Sequence, residues 1–448
     1  MSFMRTNKLF FCLLLVFPFL STYAQKCKIG NTYYNSFEEA NRAIPSNGTS
    51  TLVEIMEDCD DFYAEITAKR NVIIDLNGHR LSCTKNNSAI TVYGILTIKG
   101  NGVIENAAAN YTGDTDYRRA IWSSASSHTH IENGTFRTSS YSQTLCFNGD
   151  VVIDNAIVEN YSGGSCFAIY SDAKAEIHDG EFTNYGNAMT VENSSTGTLN
   201  IHNGMFVNKD DNVGDYYGRA LWTAEGSNTH IENGTFKTSC NTQALCFNGD
   251  VVIDNATVEN SGTLSDGICV ATFSNAKAEI YDGTFTGEIA LGYECGDVNI
   301  HGGRFNAQNA FVSMYGEETN VKEHIKLSGG VYSIAEAADY VADGYEFVAN
   351  DDKETSGDYS YMVRERLYAM KVTCRNNVSY IKLTTDTRIA ANNAENTVTV
   401  STREEVVILE LQDVEKMEFV DYITDIKAPA LDNMMFELDG KTLRFSGK

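Results

Sequence analysis

The stretch THIENGTF at Thr129–Phe136 returns letter for letter at Thr229–Phe236. Relatives of its core follow as IDNAIV from Ile153, IHDGEF from Ile177, IHNGMF from Ile201, IDNATV from Ile253, IYDGTF from Ile280, IHGGRF from Ile300 and LSGGVY from Leu327. The shared pattern is apolar, polar, Asn or Asp, mostly Gly, any residue, then an aromatic or Val, at intervals of 20 to 30 residues. Self-similarity at that period marks a solenoid, in which each repeat buries its apolar face only by stacking on its neighbours. Apolar and polar residues alternate within the repeats, so the stacked elements are strands. No proline occurs between Pro45 and Pro429, which leaves every coil free to donate its backbone hydrogen bonds to the next.

The columns of such a helix can be read from the repeats. Ile131, Ile153, Ile177, Ile201, Ile231, Ile253, Ile280 and Ile300 form one interior stack, and Phe136, Val158, Phe182, Phe206, Phe236, Val258, Phe285 and Phe305 a second. Asn133, Asn155, Asn203, Asn233 and Asn255, with Asp179 and Asp282, align just before the glycine. There their side chains are expected to bond from coil to coil at about 4.8 Å, and Asn-Gly suits a left-handed turn. A third interior column is expected through Ile121, Leu145, Phe167, Met189, Leu221, Leu245, Ile268, Leu291 and Phe311. Its neighbour should point outward: Trp122, Cys146, Ala168, Thr190, Trp222, Cys246, Cys269, Gly292 and Val312. This alignment brings Cys246 and Cys269 within disulfide reach on adjacent coils, with buried free thiols as the other reading.

These repeats, with the entry NSFEEANRAIP then DLNGH and the exit GGVYSIAEAADYVADGYEFVAND, resemble the secreted bacterial right-handed parallel β-helix proteins of the pectin-lyase-like class, over roughly residues 50 to 350. The expected fold is therefore all-β, a right-handed parallel β-helix of about eleven coils. Ser36 and Glu39 read as a capping box opening a short amphipathic helix, with Phe37, Ala40 and Ile44 on one face and Pro45 as the stop. The domain reading is a signal at 1–24, a capping segment at 25–50, the β-helix at 51–348, a linker at 349–366 and a β-rich module at 367–448. That last module loosely resembles C-terminal sorting or anchoring modules.

Residues 1–24 carry Arg5 and Lys8 before an apolar run from Leu9 to Leu20 and a small-residue site ending at Ala24, the pattern of an export signal. A secreted or cell-surface chain is expected, with no transmembrane segment, because that run is shorter than the roughly 20 residues a span requires. Removing the signal takes two positive charges and no negative ones, moving the formal net charge from -26 to -28. Such a surface excludes nucleic acid as a partner and repels anionic membranes. Eleven cysteines less Cys12 of the signal leave ten, which permits disulfides, and no CxxC pair suggests zinc.

The match extends from Arg119–Asn160 to Arg219–Asn260, so four coils are duplicated in tandem, over about 110–208 and 209–307. Each copy follows an elongated turn, NYTGDTDYRRAIW at 110–122 and KDDNVGDYYGRALW at 209–222, and each turn holds one of the two tryptophans in the chain. The ligand-binding candidates are Asp116, Tyr117, Arg119 and Trp122 in the first copy and Asp215, Tyr217, Arg219 and Trp222 in the second. Exposed indoles suit the apolar faces of sugar rings, and the polar groups suit hydroxyls. Tryptophans merely packed beneath their own turns are the bland alternative. No cofactor is required, although Asp114, Asp116, Asp210 and Asp211 offer oxygen ligands for calcium.

The resemblance to polysaccharide lyases and hydrolases implies an active site that the motifs do not supply. No GHG segment occurs, and Gly78-His79 lies in the opening coil. A second candidate column, Glu132, Asp154, His178, His202, Glu232, Asp254, Tyr281 and His301, reads as a solvated polar face. The preferred expectation is a monomeric, adhesin-like protein binding a polysaccharide or glycoprotein surface. A lyase or hydrolase and a structural spacer are the alternatives, since fold alone does not supply function.

Overall fold

The computed structural model describes residues 25–108, 116–209, 218–262, 267–316 and 320–366, and thereafter mainly the strands. The chain winds into a parallel β-helix of about 11 turns. Each coil contributes three strands. The first strands form a 14-stranded sheet, and the second and third merge in a 22-stranded sheet.

The isoleucine column is continuous in register from Ile98 through Ile131, Ile153 and onward to Ile300 and Leu327. The aromatic column on the second strands is equally regular. Phe182, Phe206 and Phe236 stack with centroids 5.0 and 4.9 Å apart, and all are fully buried. The corner between these strands needs glycine in most coils. Gly180 has φ 142°, and a Cβ there would meet the Ala156 carbonyl oxygen at 2.6 Å.

The third column departs from the sequence reading at three places. Leu145 and Phe167 are followed by Val191, not Met189; Leu245 pairs with Val270, not Ile268; and Leu291 pairs with Val312, not Phe311. The outward column therefore runs Trp122, Cys146, Ala168, Glu192, Trp222, Cys246, Ala271, Gly292, Ser313, replacing Thr190, Cys269 and Val312. The cause is the corner before the third strand, whose length varies from coil to coil while its residues remain apolar enough to mimic a strand start. Cys269 packs in the interior cluster while Cys246 stands outside it, so the two thiols lie on opposite faces and do not pair.

The asparagines before the glycine make only scattered coil-to-coil bonds, Asn203 to Asp179 and Asn255 to Asn233, both at 3.3 Å on the surface. A buried ladder lies at the next corner instead. Asn106, Asn160, Asn184, Asn208 and Asn260 end second strands in one register column, interrupted by Thr138 and Thr238, and donate to corner carbonyls. Asn184 alone reaches the carbonyls of Gly164, Ala188 and Met189.

Both ends are closed. Phe37–Ala43 is a helix capped by the Ser36 hydroxyl, which accepts from the Glu39 amide, and Phe37 packs edge-on against Phe62 at 5.1 Å. At the exit, Tyr361–Glu365 pairs antiparallel with Tyr345–Ala349 and with Val331–Tyr332, so the expected linker is shorter than 349–366 and its end belongs to the cap. An antiparallel pair stops the parallel stacking and covers an edge that would otherwise recruit another strand. From Tyr368 the strands form two three-stranded antiparallel sheets and a hairpin, Met434–Asp439 with Thr442–Gly447. Residues 1–24 lie outside the described residues. Among the described residues no helix is long and apolar enough to cross a membrane.

Candidate functional site

Trp122 and Trp222 occupy the same outward column of the third strands, four coils apart, with Cys146, Ala168 and Glu192 between them. Both indoles are partly exposed, and Trp122 meets Tyr93 edge-on at 5.8 Å. Cys146 and Ala168 are small and buried.

Side chains from the flanking corners form one directed chain of hydrogen bonds. Arg119 Nε donates to Gln143 Oε1 at 3.3 Å, Gln143 Nε2 donates to the Tyr170 hydroxyl at 2.7 Å, and that hydroxyl donates to Glu192 Oε2 at 3.5 Å. Ser194 donates to the same carboxyl oxygen at 3.1 Å, and Ser165 donates to the other. A cation thus stands at one end and an acid at the other, joined by dipoles that all point the same way. Burial raises the Glu192 carboxyl above its ordinary range, against the lowering effect of its three hydroxyl donors. Burial also pushes the Cys146 thiol up to about 11, which makes it a poor nucleophile.

The second copy rebuilds the same chain with one exchanged part. Arg219 Nε donates to Gln243 Oε1 at 2.8 Å, and Gln243 Nε2 donates to the Tyr315 hydroxyl at 2.5 Å. In each copy a neighbouring hydroxyl, Ser142 or Thr242, also donates to the glutamine oxygen, at 3.3 and 3.0 Å. Phe273 stands where the first copy has Tyr170, and Gly292 where it has Glu192. Tyr315 packs on Phe273 at 5.1 Å, and it fits because Gly292 has no side chain: a Cβ there would come within 2.7 Å of its ring.

Of the residues expected from sequence, Arg119, Trp122, Arg219 and Trp222 share this face. Tyr117 is exposed, with the Arg119 guanidinium 5.8 Å from its ring centre. Asp116 plays another part. Its carboxylate accepts from buried Arg118 at 2.9 and 2.7 Å and from the Tyr141 amide at 3.1 Å, clamping the turn. Burial raises its carboxyl, but these donors more than offset that and hold it below the usual carboxylate range. Asp114, Asp210, Asp211, Asp215 and Tyr217 lie outside the described residues. Among the described residues no group of three or more His, Cys, Asp or Glu side chains is arranged to hold a metal ion.

Gln143, Tyr170, Glu192, Gln243 and Tyr315 were missed by the sequence reading. The glutamines carried a signal, since both stand at the head of the repeated QTLCFNGD and QALCFNGD. Tyr170 and Tyr315 lie in corners outside the repeated words, and Glu192 was displaced by the register slip.

The histidines on the first-strand wall form a ladder of close contacts with carboxylates. His130 and His178 flank Asp154 at 2.7 and 2.9 Å, and His202 bridges Glu176 and Glu232 at 2.9 and 2.8 Å. His230 and His301 repeat the theme with Asp254 and Glu279, both at 2.8 Å. A shallow groove of about 460 Å³ lies on this wall, lined by Thr198, Asn200, His230, Asp250, Val252 and Lys277 among others. It has volume but no aromatic platform, so the third-strand face, with its indoles and fixed donors, is the stronger candidate.

Fold and site together define a parallel β-helix with a duplicated aromatic and polar face. Comparison with known proteins finds no matching family model, curated protein or solved structure.

Proposed function

We propose that the chain is an exported, surface-associated, adhesin-like β-helix protein that binds glycans along the third-strand face. One observation carries this reading: two tryptophans share an outward column, each beside an Arg–Gln–Tyr hydrogen-bond chain. Indole faces suit the C–H faces of pyranose rings, and side chains already ordered by one another lose little entropy on meeting hydroxyls. Export rests on the signal pattern of residues 1–24, and the resemblance to secreted pectin-lyase-like proteins agrees with it.

A second reading, a polysaccharide lyase or hydrolase, is favoured by Glu192. It is an acid held above its usual range, and the second copy has no counterpart to it. One experiment separates the readings. The protein is applied to a glycan array, and each retained polysaccharide is then incubated with it, with and without calcium. Retention without cleavage is expected. Unsaturated or reducing-end products would establish the enzyme, and no retention would leave a spacer. Trp122→Ala, folded by circular dichroism, should weaken retention at least tenfold, about 1.4 kcal/mol or more.

A further inference from the structure

The duplication has kept more than a sequence. Each copy presents an indole, an arginine Nε bonded to a glutamine oxygen, and a glutamine amide bonded to a tyrosine hydroxyl. The tyrosines are not equivalent by descent. Tyr170 follows the third strand of the third duplicated coil, counted from the coil of Trp122, whereas Tyr315 follows the third strand two coils beyond the corresponding position, which is occupied by Phe273. Phe273 has no hydroxyl, Tyr315 supplies one to the equivalent glutamine, and glycine at 292 leaves that ring its space. Packing alone requires no hydroxyl at this point, because Phe273 and Tyr315 already cover the strand as rings.

The scaffold fixes how the two constellations are related. Trp122 and Trp222 are in register through every intervening strand pair, so they face the same way, four coils or about 19 Å apart along the axis. The described strands between them are continuous, since Cys146, Ala168 and Glu192 are each paired above and below. We propose that the two constellations are equivalent subsites gripped together by one linear, hydroxyl-rich polysaccharide lying parallel to the helix axis. This deepens the glycan-binding reading and rests on it. A chain too short to span about 19 Å fills the sites separately, two per protein. A longer chain fills both at once, and its second contact is made at high effective concentration, tightening binding about 10²- to 10⁴-fold with no new kind of contact.

The test is a length series, from di- to decasaccharide, of a β-linked glucan, a xylan and a poly-N-acetyllactosamine, titrated calorimetrically into the full chain. Expected for at least one series is a change from two short ligands per protein to one long ligand, with a step of a hundredfold or more in affinity at the crossover. Trp222→Ala and the milder Tyr315→Phe should remove that step while leaving one short-ligand site intact. One short ligand per protein, or affinity that rises smoothly with length and ignores Trp222, would overturn the two-subsite proposal while leaving glycan binding standing. Failure of all three series to bind would remove both.

Discussion

His202 lies between the carboxylates of Glu176 and Glu232 on the coils either side of its own and, when protonated, donates to both, and its titration should report that position. The hydrogen bond to Glu232 raises its imidazole, burial opposes this, and the bond to Glu176 adds to the rise. A histidine raised on folding contributes stability that is fully present below its unfolded value of about 6.5 and is lost as pH climbs through the folded one. An NMR titration should place His202 above about 6.5, and Glu232→Gln should bring it down. An unchanged midpoint in that variant would show the pair to be open in solution. Glu192 is raised on folding too, but there burial favours the neutral form. Its carboxyl holds a proton more tightly folded than unfolded, so its contribution to stability falls as pH rises from the ordinary carboxylate range through the raised value. Glu192→Gln, which keeps the size and cannot ionise, should flatten that part of the stability curve in thermal melts. A curve parallel to that of the parent chain would place the negative charge in water.

At the scale of strands and corners, two asparagine columns compete for the same structural role. The buried ladder should carry it: Asn184→Ala strips bonds from three carbonyls and is expected to cost about 1–3 kcal/mol, whereas surface Asn203→Ala should cost at most about 0.5 kcal/mol. Urea unfolding of both variants decides, and equal losses would contradict the assignment. The same contrast shows what could be read from sequence. The isoleucine and phenylalanine columns were legible because the corner between them is short and its glycine fixes the spacing, so Ile131 and Phe136 recur at a constant offset. The third column was legible only where the following corner kept its length. Beside Met189 and Ile268 the corner supplies an apolar residue two positions early, and parity cannot detect a slip of two. Trp122, Trp222 and their arginines were found because the duplication repeats them. Tyr315 could not be, since it reaches Gln243 across coils that share no sequence word with its own.

For the whole molecule, stacking makes stability approximately a sum over coils and their interfaces, so the duplication should be removable. Excising residues 119–218 joins Arg118 to Arg219 and sets Leu221–Thr223 above Ile90–Val92, the place that Ile121–Ser123 holds. Thr238 would then donate to the Arg118 carbonyl as Thr138 does, having donated to Gly218 before. Every interface of the shortened chain thus already exists in the parent or has a near-identical counterpart there. The variant is expected to fold, with a calorimetric enthalpy of unfolding lower by about 70 kcal/mol near 60 °C. It retains Trp222 with Arg219, Gln243 and Tyr315, and so should bind one short oligosaccharide with the parent's intrinsic affinity. Longer chains should gain nothing, because the partner subsite has gone. A step in affinity that survives the deletion would mean that length dependence arises within one copy, and the four-coil spacing would then be a property of the scaffold alone.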